Sequence, residues 1–212
     1  MRIAMINGSP KYKNSNSLNL LKRLEPLLCE DNEILCYSLT VKSFSKKQYL
    51  ELCHMDILIF FFPLYVDGIP SHLFRMLMTL EEYMKANRES PITVYAIINN
   101  GFYEGKQNHI AMQILENWCL RTGITFGQGI GMGAGEMMDS LNNVPLGKGP
   151  LKNLGQAYQN MADLIKSCNT GGSVFLNPNF PKFAWKFIAC HLFWNQTARK
   201  NGLEKKDILR QL

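Results

Sequence analysis

The chain has 212 residues, 46% of them hydrophobic and 19% charged, with a mean hydropathy of -0.12. This excludes a disordered, collagen-like or low-complexity chain and leaves room for one sizeable domain with an appendage. The formal charge is +6 and the pI about 9.0, a balance compatible with nucleic acid, a membrane surface or an anionic ligand until the excess is located.

Residues 2–6 read as a first strand, which meets Asn7-Gly8-Ser9-Pro10 too soon for a signal-peptide core. A cytoplasmic location is expected. Small hydroxyl and amide residues then crowd the entry to a helix over 18–28, where Ser9, Ser15, Asn16 and Ser17 are candidate phosphate donors and Lys11 adds a positive charge. A helix N-terminus exposes unpaired backbone N–H groups and its positive dipole end, so a phosphate can dock there without an obligatory arginine. The bland alternative is that Ser15 only caps the helix.

Residues 33–39 form a second strand, and 45–53 is compatible with a helix. The third strand, 56–62, is apolar at every position from Ile57 to Phe62, as expected of a central strand covered on both faces. At six residues, that run is also far short of the roughly 20 that span a membrane. The loop that follows contains Pro63, Leu64, Tyr65, Val66 and Pro70. It is apolar and aromatic where a plain connection would be polar, so a flat ring system is its expected partner. A helix over 71–85 leads to a fourth strand, 92–98, which ends in Asn99-Asn100-Gly101.

A helix over 110–121, a strand over 125–131 and a helix over 151–168 complete the alternation. Five parallel strands with intervening helices predict an α/β, flavodoxin-like, doubly wound sheet of order 2-1-3-4-5, with its ligand crevice beyond the carboxyl ends of the strands. The sheet domain is expected over 1–170 and a basic, aromatic helical extension over 171–212. The stretch Gly129-Ile130-Gly131-Met132-Gly133-Ala134 matches a dinucleotide pattern, but it follows the last expected strand with no acidic residue at the right distance beyond it. A glycine-permitted bulge or tight loop is the better reading.

Other chemistries find little support. The six cysteines, at 29, 36, 53, 119, 168 and 190, include no CxxC pair, so buried, reduced thiols are expected and no metal site. The adjacent pairs Cys53-His54 and Cys190-His191 cannot face each other on a helix or a strand, which argues against a nucleophile–base dyad.

Three loops at one sheet edge carry a resemblance. Gly8-Ser9-Pro10 with Ser15-Asn16-Ser17, and the third strand running into Pro63-x-Tyr65 and Pro70-Ser71-x-Leu73, are similar to the NAD(P)H-dependent FMN reductase and quinone reductase group of flavodoxin-like proteins, over residues 1–168. The resemblance implies that Ser9, Ser15, Asn16 and Ser17 bind the phosphate of FMN, with Pro63, Leu64, Tyr65 and Val66 against its isoalloxazine. Asn99, Asn100 and Gly101 stand where that group often has a Thr/Ser-Gly-Gly turn. It also implies hydride transfer from NAD(P)H to a flavin, quinone or other small acceptor, with the flavin and no protein residue carrying the chemistry. Iron–sulfur members of the group have closely spaced cysteines, and the separation of Cys36 from Cys53 argues against a cluster. A one-electron carrier and a flavin-binding regulatory module share the fold and remain as alternatives.

The charge excess lies in the extension. Residues 171–212 hold seven Lys and Arg against two Asp and Glu, or +5 of the +6. The sheet domain is nearly neutral, so no nucleic-acid partner is expected. Phe180, Phe183, Trp185, Phe187, Phe193 and Trp194 crowd the extension, a segment that needs cover. A homodimer partner is the expectation and a membrane surface the lesser one.

Overall fold

The computed structural model describes residues 1–207 apart from Tyr12, Asp31 and Val41. Arg210 of the extension lies outside the described residues, as does Tyr12 of the first loop. The chain forms two compact units, Met1–Pro178 and Asn179–Leu212.

The first unit is a parallel sheet of β1 (Arg2–Asn7), β2 (Glu33–Ser38), β3 (Ile57–Pro63), β4 (Thr93–Asn99), β5 (Thr125–Met132) and β6 (Val174–Leu176), in the order β2-β1-β3-β4-β5-β6. Helices α1 (Asn16–Leu24), α2 (Lys46–Cys53), α3 (Ser71–Asn87), α4 (His109–Thr122) and α5 (Lys152–Lys166) connect and cover it.

The composition of β3 follows from its place between β1 and β4. Side chains alternate across a strand, so its apolar run serves two cores at once. Leu58, Phe60 and Phe62 join Leu73, Leu77 and Leu80 of α3 and Trp118 of α4 on one face. Ile57, Ile59 and Phe61 join Leu20, Leu21 and Leu24 of α1 and Tyr158 and Met161 of α5 on the other. Phe60, Phe61 and Phe62 are fully buried, and each contributes on the order of 2–3 kcal/mol of transfer free energy. Two ring donors at these layers find partners: Trp118 Nε1–H donates to the Leu77 carbonyl at 2.9 Å and Tyr158 O–H to the Leu20 carbonyl at 3.1 Å.

The sheet has six strands, not five. β6 pairs with β5 through Ile130–Val174, Gly131–Phe175 and Met132–Leu176. At three residues it is too short to show a periodicity, and its preceding Gly171-Gly172 reads as a break. The strand carries the first unit to Pro178, past the expected boundary at residue 170. Close packing explains two glycines of β5: a Cβ on Gly131 would lie 2.6 Å from Phe175 Cδ1 of β6, and one on Gly129 would strike Met112 of α4.

A second correction concerns the thiols. Only Cys53 and Cys119 are buried, while Cys29, Cys36, Cys168 and Cys190 are exposed. Burial pushes the Cys36 thiol up to about 11, assisted by the Glu25 carboxylate, so even this exposed residue resists forming the thiolate.

The second unit is a helical run. α6 (Lys182–Ile188) continues through a π-helical turn (Ala189–Trp194) into α7 (Asn195–Lys200). The widened turn is visible in the Asn195 N–H, which bonds to the Cys190 carbonyl five residues back. No helix among the described residues is long and apolar enough to cross a membrane.

Gly105 is the tightest junction between β6 and the body of the sheet. A Cβ there would lie 2.3 Å from the Leu176 carbonyl oxygen and 2.5 Å from that of Gly131. Both are backbone atoms that a rotamer change cannot move. Gly105→Ala should therefore cost about 2–3 kcal/mol in urea unfolding. Gly172→Ala, at a site open for 4 Å, should stay within about 0.5 kcal/mol of the wild type. Equal effects would remove the steric account of this junction.

Candidate functional site

Strand order reverses at β1, which has β2 on one side and β3 on the other. The loops leaving the carboxyl ends of β1 and β3 therefore diverge around a crevice. The β4 and β5 loops border the same opening. Ser9, Lys11, Ser15, Asn16 and Ser17, then Pro63, Leu64 and Tyr65, then Asn99, Asn100 and Gly101 all line one cavity of about 170 Å³. Of the residues singled out from sequence, only Val66 is absent from its wall. A larger, shallower hollow of about 630 Å³ adjoins it on the α1 side and shares Ser15.

The first loop is built around its own hydrogen bonds. Asn7 Oδ1 accepts from the Ser9 N–H at 3.1 Å, and Ser9 Oγ from the Lys11 N–H at 3.3 Å. Ser15 is the N-cap of α1, its Oγ accepting from the Leu18 N–H at 3.1 Å. Capping consumes a lone pair and leaves the hydroxyl proton free to donate, so the cap and a phosphate ligand are compatible. The N–H groups of Asn16 and Ser17, in the first turn, have no intrahelical acceptor.

The hydroxyl of Ser17 is already spent: it donates to Asn99 Oδ1 at 2.9 Å, a buried bond across 82 residues of sequence. Its backbone N–H, in the first turn of α1, is the donor this leaves open. The backbone carbonyl of Asn99 accepts from the Leu64 N–H at 2.8 Å. Asn100 bonds to the β5 side, donating its N–H to Met132 and accepting from Gly135 at 2.7 Å. The two asparagines thus join all four loops of the crevice, a task that a Gly-Gly turn has no side chains to perform.

Four buried side-chain oxygens lack a hydrogen-bond partner among the described residues, those of Asn16, Asn100, Asn108 and Gln128, and two of them, Asn16 Oδ1 and Asn100 Oδ1, belong to this cavity. Asn100 Nδ2 donates to the Glu104 carbonyl at 3.2 Å, which orients the free oxygen. An unpaired buried acceptor costs about 1–3 kcal/mol, a cost that a ligand bringing donors would relieve.

The β3 loop turns through Val66 and Asp67, whose φ angles of 47° and 57° are left-handed. Tyr65 and Gly68 exchange N–H···O bonds of 3.1 and 3.0 Å across this turn, as in a hairpin whose two central residues both have positive φ. Val66 is thereby driven into solvent, fully exposed, which is why it leaves the cavity that its neighbours line. Tyr65 is 46% exposed and offers a ring at the opening.

Glu136 also lines the cavity. Its Oε1 lies 3.2 Å from the place a Cβ on Gly101 would occupy. Nothing in its sequence context marks it, because its position depends on Ala134, which turns the chain after β5 with a φ of 52°. His72 is half-buried, and its Nε2 lies 3.1 Å from the Gly8 carbonyl oxygen, tying the start of α3 to the first loop. Burial lowers its pKa from the ordinary 6.5 despite that bond, so the neutral ring donating to Gly8 is the favoured form.

No family model matches the sequence, and no curated protein matches it. Solved structures do. NADPH-quinone reductase from P. pentosaceus superimposes with a TM-score of 0.57 at 16% identity, over 76% of this chain and 98% of that one. NAD(P)H:quinone oxidoreductase from Methanothermobacter marburgensis gives 0.54 at 14%, over 76% and 96%. An FMN-dependent NADH-azoreductase from Bacillus anthracis, solved with FMN, gives 0.52 at 13%, over 78% and 99%. The likeness establishes the flavodoxin-like fold.

Two outcomes test the geometry. Ser17→Ala strands Asn99 Oδ1 in the interior and should cost roughly 1–3 kcal/mol in denaturant unfolding; a change below about 0.5 kcal/mol would show that the loops do not depend on this bond. For His72, the unfolded chain takes up a proton near pH 6.5 that the folded chain resists. Stability should be complete above that pH and decline as the pH falls below it. Thermal midpoints measured across this range should flatten in His72→Gln.

Proposed function

We propose that this chain is an FMN-dependent oxidoreductase that accepts hydride from NAD(P)H and passes electrons to a flavin, a quinone or another small acceptor. The observation that carries this reading is the pair of buried, unpartnered carboxamide oxygens in a cavity that also contains a helix N-terminus capped by Ser15. A flavin mononucleotide has what each part requires. Its phosphate suits the free N–H groups of Asn16 and Ser17, the Ser15 hydroxyl and the Lys11 ammonium. Its ribityl hydroxyls and ring N–H are donors for Asn16 Oδ1 and Asn100 Oδ1. The apolar wall of Pro63, Leu64 and Tyr65 suits the ring.

When bound, FMN supplies the capacity to take up and release a hydride. The residues of the chain position it. Asn100, held through Glu104, presents a fixed acceptor, and Pro63 and the Tyr65–Gly68 turn restrict the β3 loop. A cavity of about 170 Å³ is smaller than those that enclose a drug-sized ligand, about 300 Å³ and upward, so part of the cofactor would lie at the open mouth, accessible to a second substrate. The proteins of the same fold are named as quinone reductases and an azoreductase, which supports a small diffusible acceptor.

Addition of FMN to the purified protein should quench its fluorescence at stoichiometric binding, and NADPH or NADH should then bleach the flavin absorbance. Asn100→Ala should weaken FMN binding by about tenfold, the loss of one good hydrogen bond. A protein that leaves FMN fluorescence unchanged would overturn the assignment of the cofactor. A loaded protein that neither nucleotide bleaches would overturn the assignment of the donor.

A further inference from the structure

The helical run of the second unit presents large apolar side chains to solvent. Phe183 is 77% exposed, and Phe187, Leu192, Phe193 and Trp194 are at least half exposed. These are not isolated contacts with water. The Phe187 ring lies 4.5 Å from that of His191, and Phe193 packs edge-on against Trp194 at 5.3 Å. Lys182 and Lys186 lie on either side of Phe183, and Arg199 and Lys200 follow Trp194, all exposed.

Charge decides what can cover such a surface. Residues 179–212 hold seven basic and two acidic side chains, a net +5, and the remainder of the chain carries +1. Pairing Lys182–Lys200, which holds four basic and no acidic side chains, with its counterpart in a second copy would bring two +4 segments within a Debye length of about 8 Å, where repulsion is only partly screened. The rest of a second copy, itself net positive, offers no overall attraction. The run is also interrupted by charges and is not a membrane span. An anionic lipid surface meets both requirements: Phe and Trp rings settle at the headgroup and acyl boundary, and flanking Lys and Arg reach lipid phosphates and carboxylates.

We propose that the segment Lys182–Lys200 is a peripheral anchor that lies on anionic lipid surfaces. The inference stands on this segment alone and does not depend on the cofactor.

Sedimentation of the full chain with lipid vesicles tests it. Binding to phosphatidylcholine vesicles containing phosphatidylserine should be at least about tenfold tighter than to phosphatidylcholine alone, and should weaken as salt is raised. Tryptophan emission should shift to the blue on binding, and Trp194→Phe should reduce the shift. The pair Lys182→Glu and Lys186→Glu should lower affinity for the serine lipid about tenfold or more. Phe187→Ser with Trp194→Ser should abolish sedimentation although every charge is retained. The wild-type comparison between the two lipids needs no variant to fold. Failure to sediment with the anionic vesicles, or equal binding to both, would overturn the proposal. So would a molar mass that doubles with concentration in the wild type and reverts in the Phe187→Ser, Trp194→Ser protein, which would assign the face to a second copy.

Discussion

The buried hydrogen bond from the Ser17 hydroxyl to Asn99 Oδ1, 2.9 Å long, joins the first turn of α1 to the end of β4. The rest of the crevice depends on it because a doubly wound sheet drives its loops apart at the switch point. Something has to draw them back to a common wall. The Asn99 carbonyl holds the β3 loop through Leu64, and Asn100 holds the β5 side through Met132 and Gly135. Two consecutive amide residues thereby set the spacing of four loops, and the cavity is the space that they leave.

The same arrangement stores cost at the crevice. Among the described residues, Asn14, Val66, Asp67, Ala134 and Cys168 are the non-glycine positions with positive φ. The first four lie on loops at the carboxyl edge of the sheet, where strained backbone tends to accompany binding sites. The unpartnered oxygens of Asn16 and Asn100 add to it. A ligand with donors would relieve the polar part of this cost, whereas the turn at Val66 is maintained by its neighbours whether or not a ligand is bound.

Charge is divided between the two units more sharply than composition implies. The sheet unit is nearly neutral, and within its cavity Lys11 is accompanied by Glu136. The high pI therefore belongs to the last 34 residues, where basic side chains border exposed aromatic rings. A single number for the whole chain conceals a nearly neutral sheet unit and a cationic, apolar helix.

The parallel sheet was legible in the sequence because its signals are local. The uninterrupted run from Ile57 to Phe62 needs cover on both faces wherever it is placed, and amphipathic spacing over 71–85 and 151–168 needs a sheet to cover. The loops with Ser15-Asn16-Ser17 and Pro63-Leu64-Tyr65 followed from the same alternation, since chain order in such a sheet assigns every βα loop to one edge. Contacts between distant residues could not be read this way. β6 exists because Gly105 and Gly131 leave room for it, Glu136 reaches the cavity because Ala134 turns left-handed, and Val66 leaves it because the Tyr65–Gly68 bonds close a tight turn. The sequence by itself determined which segments pair with water and which with each other's apolar faces. Only the tertiary structure decided that the Ser17 hydroxyl serves Asn99 and not a ligand, because a hydrogen bond across 82 residues leaves no periodicity in the chain that makes it.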